Sequence, residues 1–281
     1  MEDFATYILE EKNLSQKMLI TYYLSKKIGI FFDKSIILKA EIAKLFIEYM
    51  KIDVDENLVL TAMLLCNCKK TENAQKIGKL ETYAKEGAEY LATLGFNKRF
   101  CKICEEVNRY SKSENREKES DILEVVDQFT GLILNRVERE AFSTEEALVI
   151  LQERNLKYTD NRYIGLFVEF VKELEEITIR DIVEVSIIKK LVLLHNKEAN
   201  VKTFIATLSN RYEDKIEEAL RKNEHKVAEK ALNTKETTNT KSDMGKMKEL
   251  VTANKNASRP LFSDDIAEKV LNHKSNYKLE E

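Results

Sequence analysis

The sequence predicts an all-α fold, and three observations carry that expectation. Turn formers are scarce: one proline and seven glycines in 281 residues cannot supply the hairpins of a β-sandwich or barrel. The abundant residues, Leu, Glu, Lys, Ala and Ile, are mostly good helix formers. Apolar residues also recur every three or four positions through nearly the whole chain.

Residues 1–34 are read as a helical N-terminal extension and 35–176 as the main domain. In that domain Ile36, Ala40, Ala43, Ile47 and Met50 form one apolar stripe. Leu58–Cys66 is an apolar run long enough for a buried helix. Tyr83, Gly87, Tyr90, Leu91 and Leu94 share a further face, as do Ile122, Val126, Phe129 and Ile133. Ser143 followed by Glu146 has the spacing of a capping box, which opens a helix carrying Ala147, Leu148 and Leu151 inward. The next helix is expected over residues 160–176, through Ile164, Phe167, Phe170 and Leu174. Residues 177–232 are read as C-terminal helices. Ile177–Val185 is compatible with a strand, but the spacing of Ile182, Val185, Ile188, Val192 and His195 favours a helix. From Val201 through Ile205, Leu208, Tyr212, Ile216 and Ala219 a long amphipathic helix runs to about Leu232. Residues 233–258 are rich in Lys, Asn, Thr and Ser, and the expectation is a disordered linker. Residues 259–281 form a short amphipathic tail with apolar Leu261, Phe262, Ile266, Val270 and Leu271.

Charge excludes some function classes. The 46 basic and 49 acidic side chains nearly cancel, so no global field favours nucleic acid or an anionic membrane. The stretch Met1–Glu11 is acidic and lacks the apolar centre of a signal peptide, and no apolar run has the length of a membrane span. A cytoplasmic location is expected, with Cys66, Cys68, Cys101 and Cys104 as reduced thiols.

Three segments carry a family resemblance. Leu60-Thr-Ala-Met-Leu-Leu-Cys66-Asn67-Cys68-Lys69-Lys70 resembles the apolar run ending in His-Asp-x-Gly-Lys that names the HD hydrolases. Tyr83-Ala-Lys-Glu-Gly87-Ala-Glu-Tyr-Leu91 is similar to a second segment of the HD-GYP branch, with Tyr83 where that branch has histidine. The third is the longest. Asp127, Phe129, Leu132, Arg136, Arg139, Ala141, Ser143, Glu146, Ala147 and Leu148 follow the HD-GYP pattern without a gap. The resemblance covers residues 35–176 and implies an HD-GYP-like helical bundle, the fold of cyclic di-GMP phosphodiesterases.

The departures from that pattern bear on function. Family metal ligands are replaced by Cys66, Asn67 and Tyr83, and no histidine stands near Ser35 or at Val107-Asn108-Arg109. The Gly-Tyr-Pro loop is replaced by Ser111–Ser120, read as a solvated loop. All three histidines, His195, His225 and His273, lie beyond the matching region. Phosphodiester hydrolysis in this family requires two or three metal ions on about five or more His and Asp ligands. Asp127 with neutral Asn67 and Tyr83 falls short, so a pseudo-enzyme with no metal and no cofactor is expected.

Two other constellations could carry chemistry. The four cysteines are enough thiols for a zinc site, but Cys66 and Cys68 on one helix would diverge by about 200°. Packing is the preferred role. Lys70, Arg136 and Arg139 match family positions near the substrate phosphates, so with Cys66, Asn67, Tyr83 and Asp127 they are candidate ligand-binding residues of a degenerate cleft. The favoured role for the bases is instead a structural ion pair with Glu138, Glu140 or Asp127. The expected function is a regulatory or scaffold protein that binds protein partners, through the tail among other surfaces. The alternatives are a metal-free receptor for cyclic di-GMP or a related nucleotide, and a phosphodiesterase with an atypical site.

Overall fold

A computed structural model describes residues 4–70, 82–107, 115–136, 139–158, 161–180 and 186–211. Among the described residues the chain forms eleven helices. They are α1 (Phe4–Glu10), α2 (Leu14–Ile28), α3 (Lys34–Met50), α4 (Glu56–Leu65), α5 (Thr82–Thr93) and α6 (Lys98–Glu105). Then come α7 (Lys118–Ile133), α8 (Thr144–Tyr158), α9 (Ile164–Arg180), α10 (Ile187–Lys197) and α11 (Val201–Arg211). The fold is all-α, and the one β-type pairing among these residues is an isolated antiparallel bridge between Arg136 and Arg139. No helix among the described residues is long and apolar enough to cross a membrane.

Local chemistry sets where the helices begin. Asn13, Asp33, Asp55, Asn97 and Ser186 each accept a backbone N–H of the first turn they precede. The capping box at α8 forms in both directions: Ser143 Oγ accepts from Glu146 N at 3.2 Å, and Glu146 Oε2 accepts from Ser143 N at 2.9 Å. Helix α2 ends on Gly29 in the left-handed region (φ 69°), which a residue without Cβ adopts at no steric cost. At two other helix ends, side chains take the last carbonyls. The Lys34 ammonium donates to His195 O (2.8 Å) and Glu198 O (2.7 Å), placing a cation at the negative end of α10. At the end of α1, the buried Lys17 ammonium donates to Ile8 O, and the Asn57 amide donates to Leu9 O.

Helix α3 is central and packs against α4, α7, α9, α10 and α11. Helix α4 is buried along Val59–Leu65, which is why its sequence is apolar all round. Phe46 of α3, Phe129 of α7 and Phe167 and Phe170 of α9 form an aromatic cluster, with Phe46 and Phe129 edge-on to Phe167 at 5.0 and 5.1 Å. One continuous core runs from Ala5 and Ile8 to Phe204 and Leu208, so the first and last described helices share it with the middle of the chain.

Some expectations are corrected. Helix α9 starts at Ile164 rather than at residue 160, because Asn161 turns its side chain back to accept from Tyr163 N at 3.0 Å. It continues to Arg180, so residues 177–180 are helical, as the apolar spacing favours. Cys66 and Cys68 do not share a helix: α4 stops at Leu65 and both lie in the turn that follows. The supposed solvated loop Ser111–Ser120 is also revised, since α7 begins at Lys118 and Glu119 and Ser120 are buried. Their burial is possible because each has a partner, as described below. Residues 181–185, the continuation of the last amphipathic helix beyond Arg211, the linker and the tail with Leu261, Phe262, Ile266, Val270 and Leu271 lie outside the described residues.

Candidate functional site

Asp127 is presented by the middle of α7 toward the N-terminal half of α3 and the turn after α4. Asp33 caps α3 through Ser35 N and Ile36 N, and it also binds the Ser35 hydroxyl at 2.6 Å. The Ser35 hydroxyl is therefore committed to the Asp33 carboxylate at the start of α3. One turn further on, Lys39 points inward. Its ammonium lies 2.8 Å from Asp127 Oδ1, with only 4 % of its side chain exposed against 26 % for Asp127. The buried Asn67 adds an amide N–H to the same oxygen at 3.2 Å. The turn that carries Asn67 is fixed by Cys68 N to Leu65 O (2.9 Å) and by Phe31 N to Cys68 O (2.9 Å).

The electrostatics favour an ionised pair. Burial by itself would raise the Asp127 carboxyl, but Lys39, Lys70 and the bond from Asn67 outweigh it and hold the group at about 2. Burial would likewise lower Lys39, and the facing Asp127 carboxylate reverses this and raises it. Lys70 is pulled down, first by the charge of Lys39, then by burial and by Arg136. Its ammonium lies 5.8 Å from the Phe31 ring centroid. Burial pushes the Cys66 and Cys104 thiols upward, so both stay protonated near neutrality.

The sequence-derived candidates divide accordingly. Asn67 and Asp127 are in contact, Cys66 and Lys70 lie within electrostatic reach of the Lys39–Asp127 pair, and Arg136 lies within electrostatic reach of Lys70. Arg136 turns its guanidinium over Gly131, so that a Cβ added there would meet Nη2 at 2.5 Å. Arg139 has a different task. It donates to Leu132 O (3.0 Å), to Gly131 O and to Glu140 O (2.8 Å), closing the C-terminal end of α7, and its guanidinium covers the Phe142 ring at 4.7 Å. Tyr83 packs half-buried against the core from the first turn of α5. Asp127 takes part in an ion pair, but its base is Lys39 rather than Lys70, Arg136 or Arg139, and Glu138, another acid expected to pair with those bases, lies outside the described residues.

Lys39 was missed because it sits inside the apolar stripe of Ile36, Ala40 and Ala43, where a lone lysine reads as a flaw in the pattern. That flaw is the available signal: a lysine surrounded by core positions needs a buried polar or acidic partner.

The metal implied by the resemblance does not fit these residues. The Lys39 ammonium already stands at the Asp127 oxygen, Asn67 offers that oxygen an N–H, and the neighbouring thiol is held protonated by burial. Among the described residues, no three His, Cys, Asp or Glu side chains are grouped to hold a metal ion.

No protein-family model, no curated protein and no solved structure matches the chain.

A second charge cluster stands at the head of α7. The Arg116 guanidinium, 9 % exposed, lies 2.7 Å from Asp121 Oδ1 and 3.0 Å from Glu124 Oε2. Arg162 approaches the other oxygen of Asp121 at 2.5 Å and donates to Arg116 O at 2.9 Å. Asn161 donates to Asp121 O (2.7 Å) and Glu124 Oε2 (3.2 Å). On the side of α6, Arg99 pairs with Glu119 at 2.9 Å, and Lys102 pairs with Glu117 at 3.1 Å. Glu106 accepts from Glu117 N and Ser120 Oγ, each at 2.9 Å. These contacts fasten residues 115–117 to α6 and α7.

Proposed function

We propose that the chain is a non-catalytic, HD-GYP-like regulatory or scaffold protein that acts through protein partners. The observation that carries the reading is the Lys39–Asp127 pair. Asp127 is the one acidic residue retained at a family ligand position, and its oxygen already faces a resident ammonium at 2.8 Å. An ion pair in that place supports a core kept for its shape.

In this reading partners are recruited through the tail. Ile266, Val270 and Leu271 fall on one face of a helix that Ser263, Asp264 and Asp265 would open. About ten residues of helix are unstable alone in water, so the tail would fold against a partner's groove. Deleting Arg259–Glu281 should leave the thermal midpoint unchanged and abolish recovery of a protein partner in pull-downs from cells. A midpoint lowered by several degrees would place the tail on its own core and contradict recruitment.

A second reading, a metal-free receptor for cyclic di-GMP or a related nucleotide, is favoured by one observation. Lys39, Lys70 and Arg136 are near enough that the charges of Lys39 and Arg136 both depress Lys70, although Asp127 and Asp33 oppose them. A group of cations of this kind suits a phosphodiester anion. Calorimetric titration with cyclic di-GMP, with and without manganese, separates the readings. No heat in either condition is the result expected for a scaffold. Heat independent of manganese establishes the receptor, and manganese-dependent turnover would restore an atypical phosphodiesterase.

A further inference from the structure

The C-terminal end of α1 is closed by side chains of two other helices. The Lys17 side chain of α2 donates to Ile8 O and to the hydroxyl of Thr61 on α4. That hydroxyl donates in turn to Asn57 O at 2.7 Å, and the Asn57 amide donates to Leu9 O. The result is a chain of hydrogen bonds that joins α1, α2 and the first turn of α4. Helix α1 has seven residues, too few to be stable alone in water. It is therefore helical only while it is docked, with Ala5 and Ile8 buried beneath it.

The partners of Lys17 suit a neutral amine better than an ammonium. Its side chain is wholly buried, and among the described residues its hydrogen-bond partners are two uncharged oxygens. Two acceptors match the two N–H groups of an amine, whereas an ammonium brings a third N–H and a buried charge. Lys39, also buried, differs in standing 2.8 Å from a carboxylate. The elements around Lys17 carry Glu10 and Glu11 at the end of α1, Asp55 and Glu56 at the start of α4, and Lys202 on α11. Glu11 and Asp55 act on Lys17 from a distance, because each is engaged locally. Glu11 accepts from Asn13 N at 2.8 Å, and Asp55 accepts from Leu58 N at 3.0 Å.

We propose that α1 is a strap that detaches reversibly from α2 and α4, and that Lys17 loses one proton to solvent on docking, so that the strap tightens as pH rises. The electrostatics agree with the geometry. Burial lowers Lys17 from the ordinary 10.5 to about 8, while Glu11 and Asp55 oppose the fall. The neutral amine keeps both hydrogen bonds, so deprotonation removes a buried charge without releasing Ile8 O or Thr61. Detachment returns the side chain to water and to its ordinary value. The docked value is the lower one, so docking gains stability as pH rises from about 8 to about 10.5 and loses it as pH falls. Between pH 7 and pH 9 the balance should shift about tenfold toward the docked state. The proposal is independent of what the Asp127 cleft or the tail binds.

The test treats the full chain with trace acetic anhydride at a series of pH values from 7 to 9 and measures acetylation of Lys17 and Lys12 by mass spectrometry. Lys12 is exposed and reacts at all times, whereas the buried Lys17 reacts only in molecules whose α1 has detached. The ratio of the two therefore follows the detached fraction, free of the pH dependence of the reagent. It should fall about tenfold from pH 7 to pH 9. Lys39, which α1 does not cover, should label more slowly than Lys17 throughout. In a carbon-13 NMR titration of the lysine side chains, one resonance should have a midpoint near 8 and vanish in Lys17→Met. Three results would overturn the proposal: a ratio that stays constant or rises, equal labelling of Lys17 and Lys39, or no lysine titrating below pH 9 in the native protein. None of these needs the variant, so a misfolded Lys17→Met would not shelter the idea.

Discussion

Replacing Asp127 with alanine should lower the stability of the protein by about 3 kcal/mol, because it leaves the Lys39 ammonium buried without its counter-charge. Breaking a buried pair from one side costs about 3–5 kcal/mol, and the lower end applies because a quarter of the Asp127 side chain still meets solvent. For a chain of this size the thermal midpoint should fall by roughly 6–12 °C. The control is Lys39→Met combined with Asp127→Leu, which removes both charges and should recover most of the loss. Acid provides an independent check. The folded value of about 2 lies below the ordinary 3.8, so the stabilisation is fully present above about pH 4 and lost as pH falls toward 2. A stability curve that is flat over that range in the native protein, or identical in Asp127→Ala, would show that the pair contributes nothing.

Replacing Arg116 with alanine should have an effect at least as large. One guanidinium, 9 % exposed, serves Asp121 and Glu124, and removing it leaves two carboxylates that are 3 % and 1 % exposed. Asp121 keeps Arg162, so the cost falls mainly on Glu124 and on the backbone of the segment before α7. A loss of about 3–5 kcal/mol is expected in chemical denaturation. Arg116→Lys should recover only part of it, since one ammonium cannot bridge two carboxylates as a planar guanidinium does. A loss below about 1 kcal/mol would mean that the cluster behaves as an exposed surface network.

Much of the fold was legible because local chemistry and the core agree. The stripe Ile36, Ala40, Ala43 and Ile47 marked α3, the apolar run from Leu58 marked α4, and the Ser143–Glu146 spacing marked the start of α8. The charged side of the molecule was not legible. Arg116, Glu117, Glu119 and Asp121 follow one another as a polar run that reads as solvated, and only the tertiary approach of α6 and of Asn161–Arg162 buries it. An ion pair at Asp127 is legible in kind, but its base is none of Lys70, Arg136 and Arg139, and for the two arginines the reason is geometric. Both follow the end of α7, where Arg139 closes the helix and Arg136 folds over Gly131, whereas Lys39 reaches Asp127 from the adjacent α3.

The measurement that tests the central claim most directly is the metal content of the full-length protein after incubation with excess manganese and iron followed by desalting. The occupation of Asp127 by Lys39 predicts no stoichiometric metal in the native protein. Two ions retained per chain would contradict it, and with it the reading of this core as a non-catalytic relative of the HD-GYP enzymes.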